Sequence, residues 1–215
     1  MIPTDFNCKD IFKEAYDNRY TWPSRFNGYS GKCIFVENGK SIEGEFILDS
    51  NFKPKILNIS NKNIVNEISS QLFEVAIHRV KREFTEVHKN NNFKFISESE
   101  KGIKVEVLGK NQGDKYIIKD KKINMVFRKI HGFVIEIFVQ EFIDTGDGFL
   151  SKKYSSQQLD VETFEPKSKI LEYEDNFLNL GIDNIWVLES RIIKFLDNNN
   201  NSKEIKYIFK ELSSI

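Results

Sequence analysis

The side chains best suited to proton transfer or metal binding are three histidines, at positions 78, 88 and 131. His78 follows Glu74 by four residues in "EVAIHRVKR" and precedes Arg82 by four, a spacing that sets all three on one helical face. Neither HxxxH nor HExxH occurs, so no second imidazole stands where a helical metal site needs one, and a solvated face is expected. His131 precedes a glycine in "RKIHGF", where the simplest reading is a hairpin turn with Gly132 at positive φ. As a catalytic base it would need partners brought from elsewhere in the fold, and Arg128 and Asp144 are the polar residues that could supply them.

Two glycine-containing stretches imitate catalytic loops without meeting their requirements. "IDTGDGFL" holds one Asp-Thr-Gly triplet, but paired-carboxylate chemistry needs two acids meeting in space, and Asp147 is too near Asp144 in the chain to be the second. The calcium-loop order of oxygen ligands ending in a glutamate is also missing. "GKNQGDK" is too short and wrongly ordered for a phosphate loop. No metal or catalytic residue is therefore assigned, and no cofactor is specified.

Two stretches could bind rather than react. Arg79, Lys81, Arg82 and Lys89 cluster near one helix end and could meet a phosphate or an acidic partner, although Glu83 and Glu86 dilute them. "NRYTWPSRFNGYSGK", residues 18–32, interleaves Tyr20, Trp22, Phe26 and Tyr29 with Arg19 and Arg25, the composition of a binding hot spot. Lys+Arg and Asp+Glu balance at 32 each, so no overall field draws nucleic acid, and none is expected as a partner. The default for the aromatic stretch is a corner between helix and sheet. Pro23 disfavours helical backbone at Trp22, and Gly28 and Gly31 permit the bend.

The elements that must position these groups are legible in the periodicities. Thr4 or Asp5 can cap a short helix through "IFKEAYDN", with Ile11, Phe12, Ala15 and Tyr16 on one face. Asn38-Gly39 between two β-prone runs signals a hairpin, and "KPKILNI" reads as a third strand. A long helix follows over about 63–84, capped by Asn61 or Asn63, with Ile64, Ile68, Leu72, Val75 or Ala76, and Val80 as its apolar stripe. Beyond it "NFKFIS", "GIKVEVLG", "DKYIIKD", "KINMVFRKI", "FVIEIFVQEF", "NIWVLESRIIKFL" and "EIKYIFKEL" alternate with period two. The region 144–183 reads as a long excursion with one strand near 149–159. Short strands joined by tight turns make an antiparallel meander, because parallel strands need long crossovers. The fold class is therefore α+β: a strongly curved sheet of about nine or ten strands, half-barrel or barrel-like, in a single domain spanning residues 1–215. Its helix either plugs the concave face or covers an open mouth.

With 215 residues, 40% of them hydrophobic and 19 of them Phe, the chain can bury a large core. No basic leader precedes an apolar run, and no apolar run reaches the ~20 residues that span a bilayer. Cys8 and Cys33 lack a CxxC partner and suit reduced thiols, so a cytoplasmic location is expected.

The stretches "AYDNRYTW", "FNGYSGK", "QLFEVAIHRVKREF", "RKIHGFVIEIF" and "DTGDGFLSKKYSS", in this order, resemble an uncharacterised family of cyanobacteria and plant plastids, a domain of unknown function. The resemblance spans nearly the whole chain and implies a photosynthetic host, in line with an AT-rich codon bias toward Asn, Lys, Ile and Phe. Pro23 stands where an acidic residue is usual and Lys129 where a second histidine is, which argues against metal at the 128–132 loop. The order of elements also looks like the half-barrel of bacterial lipoprotein carriers, or more loosely a lipocalin.

These readings lead to a non-catalytic protein that holds a lipid, pigment or other hydrophobic small molecule in the cavity of a curved sheet. Phe46, Phe127, Phe133 and Trp186 are expected to line it, Trp22 and Tyr29 to flank its entrance, and Arg19, Arg128 and His131 to supply polar contacts. The alternatives are an assembly factor for a photosynthetic complex, docking through exposed Trp22 and Tyr29, and a pigment- or lipid-modifying enzyme built on His131, Arg128 and Asp144.

Overall fold

A computed structural model describes residues 7–181 and 183–215. Thr4 and Asp5 lie outside these residues, and the cap of the first helix is Asn7, whose side chain accepts from the Asp10 amide at 3.3 Å. The elements in chain order are α1 (Cys8–Asp17), β1 (Tyr29–Glu37), β2 (Lys40–Leu48), β3 (Pro54–Leu57), α2 (Lys62–Arg79), α3 (Phe84–Val87), β4 (Asn91–Ser99), β5 (Gly102–Gly109), β6 (Lys115–Lys119), β7 (Lys122–Ile130), β8 (Phe133–Asp144), β9 (Phe149–Asp160), β10 (Leu171–Asn179), β11 (Trp186–Leu196) and β12 (Ser202–Ser214). They form two compact units: the chain up to Arg19 with Arg82–Leu171, and Tyr20–Lys81 with Glu172–Ile215.

The first unit is a meander of β4 to β9 in which each of β4 to β8 pairs antiparallel with the next. Two-residue turns set the β4–β5, β6–β7 and β7–β8 registers. His131 and Gly132 sit at φ 48° and 86° between the paired Ile130 and Phe133, the geometry of a tight hairpin. α1 covers one face of the sheet, burying Cys8, Phe12, Ala15 and Tyr16 with Phe84, Val105, Val107, Tyr116 and Ile118. Asn18 fastens its end: the Phe149 amide donates to the Asn18 carbonyl at 2.9 Å, and the Asn18 side chain donates to the Lys121 carbonyl at 3.0 Å.

The second unit orders its strands β3-β2-β1-β12-β11-β10, all antiparallel. Asn38 and Gly39, at φ 50° and 74°, make the β1–β2 turn. α2 lies on the face of this sheet that carries Arg191 and Tyr207, burying Ile68, Leu72, Val75 and Ala76.

Three expectations need correction. Among the described residues the strands number twelve rather than nine or ten, and neither unit's sheet closes into a barrel. β10 was hidden because Asp175 occupies one of its most buried positions and breaks the apolar alternation. The long helix stops at Arg79 rather than near 84, because the Trp22 amide takes the Arg79 carbonyl at 2.7 Å and Val80 turns to extended backbone. The basic residues expected at one helix end are thereby spread over different elements, with Lys81 and Arg82 in the extended stretch 80–83.

Candidate functional site

The aromatic corner is core. Trp22, Tyr29 and Phe46 are 3%, 0% and 1% exposed, and their rings form a chain: Trp22 to Phe26 at 4.9 Å, Trp22 to Tyr29 at 6.2 Å, Tyr29 to Phe46 at 5.3 Å and Phe46 to Phe209 at 5.3 Å. Hydrogen bonds tie this chain to Trp186. The Trp22 indole donates to the Trp186 carbonyl at 2.8 Å, and the Trp186 amide donates at 2.9 Å to the Tyr20 hydroxyl, which donates to the Asn184 carbonyl at 2.8 Å. The structure thus brings Trp22, Tyr29, Phe46 and Trp186 together as packing, with side chains filling the space between them.

Beneath α2 lies a polar network that periodicity did not foretell. Arg191, 2% exposed, grips Asp175 with Nε and Nη2, each at 2.7 Å, while its Nη1 reaches Gln71 at 3.0 Å and Glu74 at 3.3 Å. Glu74 therefore reaches from α2 to the sheet. The Tyr207 hydroxyl donates to Glu67 at 3.2 Å. Full pairing is what allows such charges to be buried.

The opposite face of β10, β11 and β12 carries the open apolar site. With Arg191 and Tyr207 turned to α2, alternation sends Ile192 and Ile208 the other way. There they line a groove of about 370 Å³ with Leu178 and Leu212, rimmed by Lys206, Lys210, Glu189 and Glu211. Leu178 is 38% exposed. None of the nine residues expected to contact a ligand lies on its wall. The signal was present in "RIIKF" and "YIF", where adjacent apolar residues in a strand put apolar surface on both faces.

In the first unit the expected site residues disperse. Phe127 packs with Met125, Val134 and Leu159 in a small core on one face of the sheet. Phe133, half-buried, opens β8. Arg128 points to the other face, where its Nε donates to Asp114 at 3.2 Å. His131 is exposed in its turn, while Asp144, at the far end of β8, accepts from the Gly146 amide at 2.9 Å. An extended strand of this length separates His131 from Asp144 by more than about 30 Å, so the two cannot share a reaction centre. Burial pushes the Cys33 thiol up to about 11 and raises Cys8, so neither is an activated nucleophile. Among the described residues no group of acids, histidines or cysteines could hold a metal ion.

One polar cluster was missed. His88, 8% exposed, stands edge-on to Phe12 and Tyr16 at 5.2 and 5.3 Å, and its Nδ1 takes the Asn91 amide at 3.0 Å. Burial, with Arg128 and Arg19 adding to it, holds the imidazole down at about 4. Tyr116, 6% exposed, packs on Phe12 at 4.6 Å. The Arg19 guanidinium lies over the Tyr16 ring at 3.7 Å, and its Nε donates to the Tyr16 carbonyl at 2.8 Å. Asp114, buried, accepts from the Lys129 amide at 3.1 Å as well as from Arg128.

Fold and sites together define an α+β protein of antiparallel meanders, each with a helix laid on it. The chain belongs to the family described as Protein of unknown function (DUF3386), which it matches over residues 4–215. A search of the curated proteins returns no match. Among solved structures it is similar to a domain described as an outer membrane lipoprotein-sorting protein from Vibrio parahaemolyticus, at 7% identity and TM-score 0.35, covering 96% of this chain and 91% of that one. It is similar also to a chain of the MucA/MucB complex of Pseudomonas aeruginosa, at 7% identity and TM-score 0.25 over 94% and 92% of the two chains. A third likeness is to a DUF1329 family protein from Desulfovibrio piger, at 8% identity and TM-score 0.26 over 96% and 91%. At such overlap these likenesses decide nothing about function.

Proposed function

We propose that this protein is a non-catalytic binding protein for a hydrophobic small molecule, a single-chain amphiphile, held in the groove on β10, β11 and β12. The observation that supports it is the groove itself: Leu178, Ile192, Ile208 and Leu212 put apolar surface where the outer face of an antiparallel sheet is ordinarily polar. A volume of about 370 Å³ is at the small end of ligand sites, enough for one acyl chain or a small terpenoid. Lys206 and Lys210 on the rim suit an anionic head.

Two rival readings fare worse. Docking to a photosynthetic complex through exposed Trp22 and Tyr29 is disfavoured by their burial. A pigment- or lipid-modifying enzyme would need His131 and Asp144 to converge, and β8 holds them apart. We place the protein in the cytoplasm of a photosynthetic cyanobacterium; two free thiols and the sequence resemblance support this.

Native mass spectrometry with oleate tests the groove. One bound oleate per chain, with affinity lowered at least about tenfold by Ile208→Asp, is the expected result. No adduct, or an adduct indifferent to Ile208→Asp in a folded variant, overturns it.

A further inference from the structure

We propose that Arg19 and Arg128 form an oxyanion site in the first unit, holding a phosphate group by their outer Nη amines with the Tyr116 hydroxyl as a further donor. Each guanidinium is anchored through Nε, Arg19 on the Tyr16 carbonyl at 2.8 Å and Arg128 on Asp114 at 3.2 Å. Among the described residues their Nη groups make no hydrogen bond, so each keeps a two-amine edge of the kind that binds phosphate oxygens. Their planes are preset, Arg19 by stacking on Tyr16 at 3.7 Å and Arg128 by a carboxylate that also takes the Lys129 amide.

The second observation is independent of the arginines. Tyr116 is 6% exposed as a residue, while its hydroxyl makes no hydrogen bond with the described residues and is not sealed from solvent. A phenol hydroxyl that reaches solvent without a protein partner is free to donate to a bound anion. Tyr116 sits on the sheet face that bears Arg128: it lies opposite Val126, and Asp114 and Arg128 come two residues further along their strands. Phe12 joins it to the other arginine, touching the Tyr116 ring at 4.6 Å and the Tyr16 ring at 6.4 Å. Both cations also act on the same two groups, the phenol of Tyr116 and the imidazole of His88. With Nδ1 accepting from Asn91, neutral His88 carries its proton on Nε2, which has no partner among the described residues and is a further donor at this locus. Donors with one partial counter-charge, Asp114, define a site for a phosphate monoester dianion, free or at the head of a lipid.

The test is a titration of the full chain with inorganic phosphate, followed through the ring-proton NMR shifts of His88 and by calorimetry. A saturable shift is expected, weakened about tenfold by Arg19→Gln and by Arg128→Gln and several-fold by Tyr116→Phe, which keeps the packing ring. Vesicles of phosphatidic acid in phosphatidylcholine separate the sources. Binding to them but not to free phosphate assigns a lipid head, and the reverse assigns a soluble ion. Saturation by neither, or affinity unchanged in folded Arg19→Gln and Tyr116→Phe, overturns the site. Oleate binding in the groove is unaffected by these variants, so the two proposals fail separately.

Discussion

Arg191 and Asp175 face each other across β11 and β10 as a two-pronged pair, both contacts at 2.7 Å and each residue 2% exposed. Removing one partner strands the other's charge in the core. Arg191→Met should destabilise the protein by about 3–5 kcal/mol, whereas Arg191→Met with Asp175→Leu should recover most of that loss. Urea unfolding of the two variants side by side measures the difference.

Acid should unfold this protein through His88. The folded state holds the imidazole at about 4 and the unfolded chain at about 6.5, so between those values the unfolded chain binds the extra proton. Stability is full above pH 6.5 and falls as the pH drops toward 4, by about 3 kcal/mol from this group. Thermal melts of His88→Phe across this range should show a flatter pH dependence than the parent.

Trp22 combines packing with one buried hydrogen bond. Trp22→Phe keeps much of the ring contact but leaves the Trp186 carbonyl without the indole donor, at a cost of about 1–3 kcal/mol. Trp22→Ala should cost about 3–5 kcal/mol. Chemical denaturation followed by circular dichroism separates the two.

Two turn glycines should respond differently. Gly28 has φ 119°, and a Cβ there would collide with the Leu48 carbonyl, so Gly28→Ala should lower Tm by about 5 °C or more. Gly39 has φ 74° with nothing within 4 Å, and Gly39→Ala should cost only about 1 kcal/mol of backbone strain. Differential scanning calorimetry of both variants checks the contrast.

What could be read from the chain was local. The turns at Asn38-Gly39 and His131-Gly132 rest on two adjacent residues, and the stripe Ile68, Leu72, Val75 and Ala76 rests on helical spacing. What could not be read depends on distant partners. β10 escaped notice because Asp175 looks like a loop residue until Arg191, 16 positions on, makes it a core residue. The stop of α2 is set by the amide of Trp22, far back in the chain. Nothing local says that α2 covers the face bearing Tyr207 and leaves Ile208 on the open one. Arg19 and Arg128 were chosen as polar contacts for a cavity, and the structure anchors them instead on the Tyr16 carbonyl and on Asp114.

The chain leaves the first unit at Arg19, returns at Arg82 and leaves again after Leu171. On a ribosome the first unit is therefore fully synthesised while the second still lacks β10, β11 and β12. Until those arrive, β1 presents an unpaired backbone edge where β12 will later dock, with Cys33 and Phe35 awaiting Phe209 and Tyr207. β12, made after the other described strands, is what closes that edge. A chain cut short within β12 would carry a finished first unit and an open edge on β1, a natural substrate for chaperones.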